Sequence, residues 1–296
     1  MNPPKADAAA HVAALAGRVG NGLLSVPGCW DTLTLKLVEE AGFEAGFVSG
    51  AALSMAALGL PDLGYITPDR ICDTVARMRD ASALPLIVDG DTGFGNALTL
   101  QRFIRSVEAA GASAVVIEDQ TYPKRCGHLA GKSVVAEQEA VGRIAAALDA
   151  RRDLLIVART DALGVLGVEA ALDRAERFVA AGADMVFVEG SRTQDELARI
   201  ADRLATRIPL VHNLVEGGQS PTREGAELDR LGIAVALHPL ILMHLLVAQG
   251  RAGLEELRRS GSTQALDDRM VDLRQMNALM SADALIATGD RYAGES

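Results

Sequence analysis

The chain has little cysteine, no basic excess and no long apolar run, and each shortage rules against a class of protein. Its three cysteines, Cys29, Cys72 and Cys126, are odd in number and far apart. They do not make a disulfide framework, and they suit a reducing compartment. Acidic residues outnumber Lys and Arg by 39 to 29, for a net charge of −10. A polyanion needs a basic footprint, so neither nucleic acid nor an anionic membrane surface is an expected partner. A local cluster of Arg and His could still serve a small anion. No segment approaches the roughly 18 apolar residues of a spanning helix. The first twenty residues have no apolar core behind a basic start, and a cytoplasmic protein is the expectation. The five histidines show no zinc spacing. No G-x-G-x-x-G follows the first strand candidate, which weighs against a dinucleotide-binding sheet.

What the chain does have is alternation. Eight short apolar runs recur: LLSVPG, AGFVSG, LPLIVDGD, SAVVIEDQ, DLLIVART, DMVFVEG, IPLVHNL and IAVALHPL. Segments with helical spacing separate them, such as TLQRFIRSVEAAG and VEAALDRAERFVAAG. Strands that are apolar throughout are buried on both faces, as parallel sheets under helices require. Eight such units point to an α/β fold, a closed (β/α)8 TIM barrel. The helical pattern continues through ILMHLLVAQGRAGLEELRRSG and a second amphipathic stretch from Asp267 to Leu285. No low-complexity linker sets this surplus apart. The expectation is one barrel domain over 1–296, with a C-terminal helical extension at 241–296 that packs as a cap or docks on a neighbouring subunit.

In such a barrel, function sits at the C-terminal strand ends and the loops after them. Polar residues fall there: Ser49-Gly50 after the second strand, Asp89-Gly90-Asp91 after the third, Glu118 after the fourth, Arg159 after the fifth, Glu189 after the sixth and Asn213 after the seventh. Asp89 and Asp91 are two apart, which on an extended strand aims both carboxylates the same way. With Glu118 they make an oxygen-only acidic set suited to Mg2+ or Mn2+. The alternative is a structural network of these acids with Arg159. Cys126 lies in Lys124-Arg125-Cys126-Gly127-His128, a polar loop of the kind that stabilises a thiolate. The alternative is an idle loop thiol.

The motifs SGAALSMAALGLPDLGYIT, VDGDTGFGN, IEDQTYPKRCGH, VARTDA and NLVEGG occur in order over about residues 20–245. Together they resemble the isocitrate lyase and phosphoenolpyruvate mutase superfamily. That resemblance implies a barrel whose last helix is exchanged between subunits, in a homotetramer built from helix-swapped dimers. It implies Mg2+ held through Asp89, Asp91 and Glu118, with Asp62 nearby and some contacts through water. Ser49, Gly50 and Ala51 would contact the end of a small carboxylate substrate that becomes a 2-oxo acid. Arg159 would bind a substrate carboxylate or the 2-oxygen, and Glu189 and Asn213 would orient the rest. The loop from Lys124 to Lys132 would close over the site and bring in Cys126 as a proton donor, tuned by Lys124, Arg125 and His128.

The KRCGH loop argues for a carbon–carbon lyase over a phosphonomutase, and its spelling matches methylisocitrate lyases. Asn213-Leu214-Val215-Glu216-Gly217-Gly218 instead looks like lyases acting on alkylmalates or oxaloacetate. Phe47 and His238 stand where methylisocitrate lyases carry tyrosine, which brings both into the substrate pocket and favours a 2-hydroxy diacid. The alternatives are 2-methylisocitrate cleavage to pyruvate and succinate, oxaloacetate decarboxylation or hydrolysis, a phosphonomutase, and a non-enzymatic barrel.

Overall fold

The computed structural model describes residues 8–127 and 131–293. Eight parallel strands close into a barrel in sequence order: β1 (Leu24–Cys29), β2 (Gly46–Val48), β3 (Leu86–Asp89), β4 (Ala114–Glu118), β5 (Leu155–Thr160), β6 (Met185–Val188), β7 (Leu210–Asn213) and β8 (Ile233–His238). All eight strands read from the sequence are present. A first helix, α1 (Ala8–Arg18), precedes the barrel. The helices after the strands are α2 (Thr32–Glu40), α3 (Gly50–Leu58), α4 (Pro68–Ala81), α5 (Ala97–Ala110), α6 (Glu137–Ala150), α7 (Leu163–Leu166), α8 (Val168–Ala181), α9 (Gln194–Leu204) and α10 (Gly225–Arg230).

Local sequence accounts for these elements. In α9, Thr193 accepts from the Glu196 amide while the Glu196 side chain takes the Thr193 amide, a capping box that starts the helix. Its buried Leu197, Ile200, Ala201 and Leu204 repeat at helical spacing and face the sheet. Gly28 in β1 has to be glycine, because a Cβ there would stand 2.0 Å from the carbonyl oxygen of Pro239.

Strand parity then decides what lies inside. Phe47, Ile87, Val116, Val157, Phe187, Val211 and Leu237 belong to the inner cluster, which Leu15 of α1 joins. Val48, Val88, Val115, Ile117, Ile156, Val186 and Val188 belong to the outer cluster, under the helices. With a side-chain period of two, the inward position after each inner residue is Ser49, Asp89, Glu118, Arg159, Glu189 and Asn213. The same count puts His238 on the outer face of β8.

Beyond β8 run α11 (Ile241–Ser260), a 3-10 turn (Gln264–Arg269), α12 (Leu273–Leu279) and α13 (Ala282–Ala293). Only Met243 of α11 is buried, and α12 and α13 bury no residue. Leu246, Leu254, Leu273, Leu285 and Ile286 are exposed. Among the described residues, no helix is long and apolar enough to cross a membrane.

Candidate active site

The inward polar layer and the loop after β4 enclose a cavity of about 50 Å³ at the C-terminal end of the barrel. Ser49, Ala51, Asp62, Asp89, Cys126, Gly127, Arg159 and Asn213 line one part, and Phe47, Val116, Phe187, Val215, Leu237 and Leu240 the other. A larger cavity of about 560 Å³ opens at the N-terminal strand ends, around Gly22, Arg207 and Asp229. It holds none of the strand-end acids, so the chemistry belongs to the smaller one.

The acids gather around Lys124. Its ammonium is buried 2.6 Å from Asp62 Oδ1 and 2.7 Å from Asp91 Oδ1. Burial works against that charge, but Asp91, Asp89 and Asp62 outweigh it and hold Lys124 protonated. Asp91 is pushed up to about 7 by burial, against the pull of Lys124 and with help from Asp89 and Asp62. Glu118 is also raised by burial, although Arg159 opposes the shift. Crowded carboxylates around a single ammonium are thus short of positive charge. Lys124 thus sits as a compact ammonium among these carboxylates, on the loop that carries Cys126.

At Asp91 the structure corrects the strand-alternation reading. β3 ends at Asp89, and Asp91 adopts a left-handed backbone with φ 47°, so strand alternation does not aim it. Its carboxylate reaches the cluster by a turn in which the Asp91 amide donates to Asp89 Oδ1 at 3.2 Å. Gly50 donates its amide to Asp89 Oδ2 at 3.3 Å, and a Cβ on Gly50 would stand 2.9 Å from that oxygen. The Gly50 amide therefore orients a carboxylate and does not line the cavity. Ser49 caps α3, its Oγ accepting from the Ala52 amide at 3.2 Å.

These residues suit a hard divalent cation. Asp89, Asp91, Glu118 and Asp62 offer carboxylate oxygens, and Glu118 Oε1 is buried without a hydrogen-bond partner among the described residues. Among the described residues no three His, Cys, Asp or Glu side chains are close enough to hold one ion directly, so water would complete its shell.

Arg159 pairs with Glu118 at 3.4 Å and with Asp161 at 2.9 Å, and its guanidinium carbon stands 5.1 Å from the centre of the Phe187 ring. Burial opposes its charge, but Asp161, Glu118 and Glu189 outweigh that and keep it protonated. Asn213 Nδ2 donates to Glu189 Oε2 at 3.2 Å. His238 is half-buried and is not among the described residues lining this cavity. Burial lowers its pKa, although the Glu216 carboxylate opposes this.

The loop after β4 sits down on the site. The Cys126 amide donates to Asp62 O at 3.2 Å, and the Gln120 side chain pairs with both the amide and the carbonyl of Arg125 at 3.0 and 2.9 Å. His128 lies outside the described residues. Sequence reasoning assigned no role to Gln120, Asp119 or Asp161. Asp119 is buried and accepts from Thr160 Oγ1 at 2.6 Å, the Asp161 amide at 2.8 Å and Arg174 at 3.2 Å. The one sequence signal for Asp161 was its position two residues after Arg159, which parity turns to the same face.

Comparison with known proteins places this geometry in a family. The phosphoenolpyruvate phosphomutase profile matches residues 18–258. The chloroplastic carboxyvinyl-carboxyphosphonate phosphorylmutase of Arabidopsis thaliana is 40% identical, over 92% of this chain and 81% of that one. The 2,3-dimethylmalate lyase of Eubacterium barkeri is 34% identical over 92% of this chain and 94% of its own length. The 2-methylisocitrate lyase of Salmonella typhimurium is 41% identical over 79% of this chain and 80% of its own. A crystal structure of 2,3-dimethylmalate lyase, described as a PEP mutase/isocitrate lyase superfamily member, superposes with TM-score 0.89 at 31% identity over 96% of this chain and 95% of that one. A phosphonopyruvate hydrolase crystallised with oxalate and magnesium superposes with TM-score 0.86 at 29% identity, over 96% and 99% of the two chains. The chain therefore belongs to the phosphoenolpyruvate phosphomutase family, within the PEP mutase/isocitrate lyase superfamily.

Proposed function

We propose that this carbon–carbon lyase of the isocitrate lyase superfamily cleaves a 2-hydroxy dicarboxylate of the 2-alkylmalate type, with Mg2+ or Mn2+ bound, to a 2-oxo acid and a carboxylic acid. The cavity wall is the observation that carries the substrate reading. Arg159 is the one cation among its described lining residues, and Phe47, Val215, Leu237 and Leu240 make an apolar wall. An alkyl substituent suits that wall. A third carboxylate would lose its water there without a counter-ion.

Asp89, Asp91 and Glu118, with Asp62 beside them, would hold the cation. When bound, it would supply Lewis-acid stabilisation of the carbonyl that forms at C2. The protein's own residues do the rest. Arg159, braced by Asp161, grips a substrate carboxylate, while Ser49 and Ala51 border the end that becomes the 2-oxo acid. Asn213 and Glu189 orient the remainder. The closed loop excludes water from the carbanion. The 2-hydroxyl gives its proton to a carboxylate of the strand-end acid cluster and the C2–C3 bond breaks, leaving its electron pair on the carbon next to the second carboxylate. The Cys126 thiol then gives its proton to that carbon. The exposed leucines of α11 to α13 support the homotetramer of helix-exchanged dimers that the resemblance implies.

Cleavage of 2-methylisocitrate is a second reading, favoured by the Lys124-Arg125-Cys126-Gly127-His128 spelling and by the 41% identity to a lyase of that name. The lyase proposal is tested on 2,3-dimethylmalate, which should yield pyruvate and propionate in equal amounts with Mg2+ present. Excess EDTA should stop the reaction and added Mg2+ restore it. Absence of any 2-oxo acid from the dicarboxylates would sink the proposal.

A further inference from the structure

At the far end of the loop, Lys132 makes a contact that neither the metal-site acids nor the thiol chemistry explains. Its side chain is 6% exposed, and its ammonium donates to the Gly127 carbonyl at 2.6 Å and to Asp161 Oδ1 at 2.8 Å. The Gly127 carbonyl belongs to the residue after Cys126. The other oxygen of Asp161 accepts from Arg159 Nε at 2.9 Å. One buried carboxylate thus joins the loop lysine to the arginine of the cavity. The loop backbone is also pressed close at this point: a Cβ on Gly127 would stand 2.6 Å from Arg159 Nη2 and 2.8 Å from Glu189 Cγ.

We propose that Lys132 is a positioning residue, a latch that fixes Cys126 over the cavity through the Gly127 carbonyl and keeps the loop in register with Arg159 through Asp161. The inference rests on the reading of Cys126 as the residue delivered by loop closure. A lysine fits the role because a single nitrogen with three donors can satisfy the carbonyl and the carboxylate together. The feet of the loop do not depend on it. Thr121 donates its amide to Ser133 O at 2.9 Å, Val135 donates to Asp119 O at 2.9 Å, and Gln120 bridges Val134. Removing the ammonium should therefore release Gly127, and Cys126 with it, and leave the ends of the loop in place.

The test is the alkylation rate of Cys126 by iodoacetamide, mapped by mass spectrometry, in full-length protein with and without Mg2+ plus oxalate. In the unaltered protein the ligands should slow alkylation by about tenfold or more, as a closed lid does. In Lys132→Met that protection should fall to about twofold or less, with oxalate affinity within about threefold of the starting value. Lys132→Arg, which keeps charge and donors, should recover part of the protection. If Lys132→Met does not fold, Lys132→Gln, which keeps one donor group without the charge, is scored the same way. Full protection in the variant that folds overturns the latch, as does an unaltered protein that shows no protection. Because alkylation is read without turnover, a failure of the lyase reading would appear separately, as absent 2-oxo acid.

Discussion

Cys126→Ser is expected to lower kcat by about 10²–10⁴-fold while leaving oxalate affinity within about threefold. Cys126 and Gly127 line the cavity together, and the Cys126 amide is tied to Asp62 O. Serine keeps nearly the same volume, so the loop and the carboxylate contacts should persist. What changes is acidity. A thiol titrates near 8.5, and an aliphatic hydroxyl gives up its proton only far above that. A loss confined to kcat identifies an interaction made as the reaction proceeds, and a loss confined to KM identifies simple binding. Near-normal turnover in Cys126→Ser would remove the thiol from the chemistry and leave it as a wall of the cavity.

Asp161→Asn should cost about 3–5 kcal/mol of stability near neutral pH, because it leaves Arg159 and Lys132 buried with too little negative charge. Asp161 is fully buried between those two cations. Burial alone would raise its pKa, but Arg159 and Lys132 outweigh burial and hold it down at about 2. A carboxylate lowered in the folded state stabilises the fold above its unfolded pKa, near 3.9, and loses that contribution as pH falls through the folded value. The gap in unfolding free energy between the unaltered protein and Asp161→Asn should thus be widest above about pH 5 and narrow between about pH 4 and pH 2. Urea titrations across that range measure it. A gap that stays constant with pH would mean the ion pair is not its source.

The barrel was legible because its strands are apolar throughout, and runs such as SAVVIEDQ and DLLIVART announce both their length and the polar residue at their end. Once the strands are set, a period of two brings Ser49, Asp89, Glu118, Arg159, Glu189 and Asn213 to one layer. The limits of that reasoning are local and physical. Parity fails where a strand stops, as at Asp91, whose left-handed backbone replaces alternation. At His238, one residue after the inward Leu237, it turns the side chain outward. Contacts made between loops leave no pattern at all. Lys132 and Asp161 are 29 residues apart, and the Lys124 ammonium chooses among four carboxylates on several segments. Only the folded backbone brings those groups together.

The central claim is that the apolar wall selects an alkylmalate, and kcat/KM for 2,3-dimethylmalate against 2-methylisocitrate, with Mg2+ present and 2-oxo acid release followed, tests it most directly. The account predicts at least about a tenfold preference for 2,3-dimethylmalate, since the tricarboxylate must place its extra charge against Phe47, Val215 and Leu240. A preference for 2-methylisocitrate would contradict it.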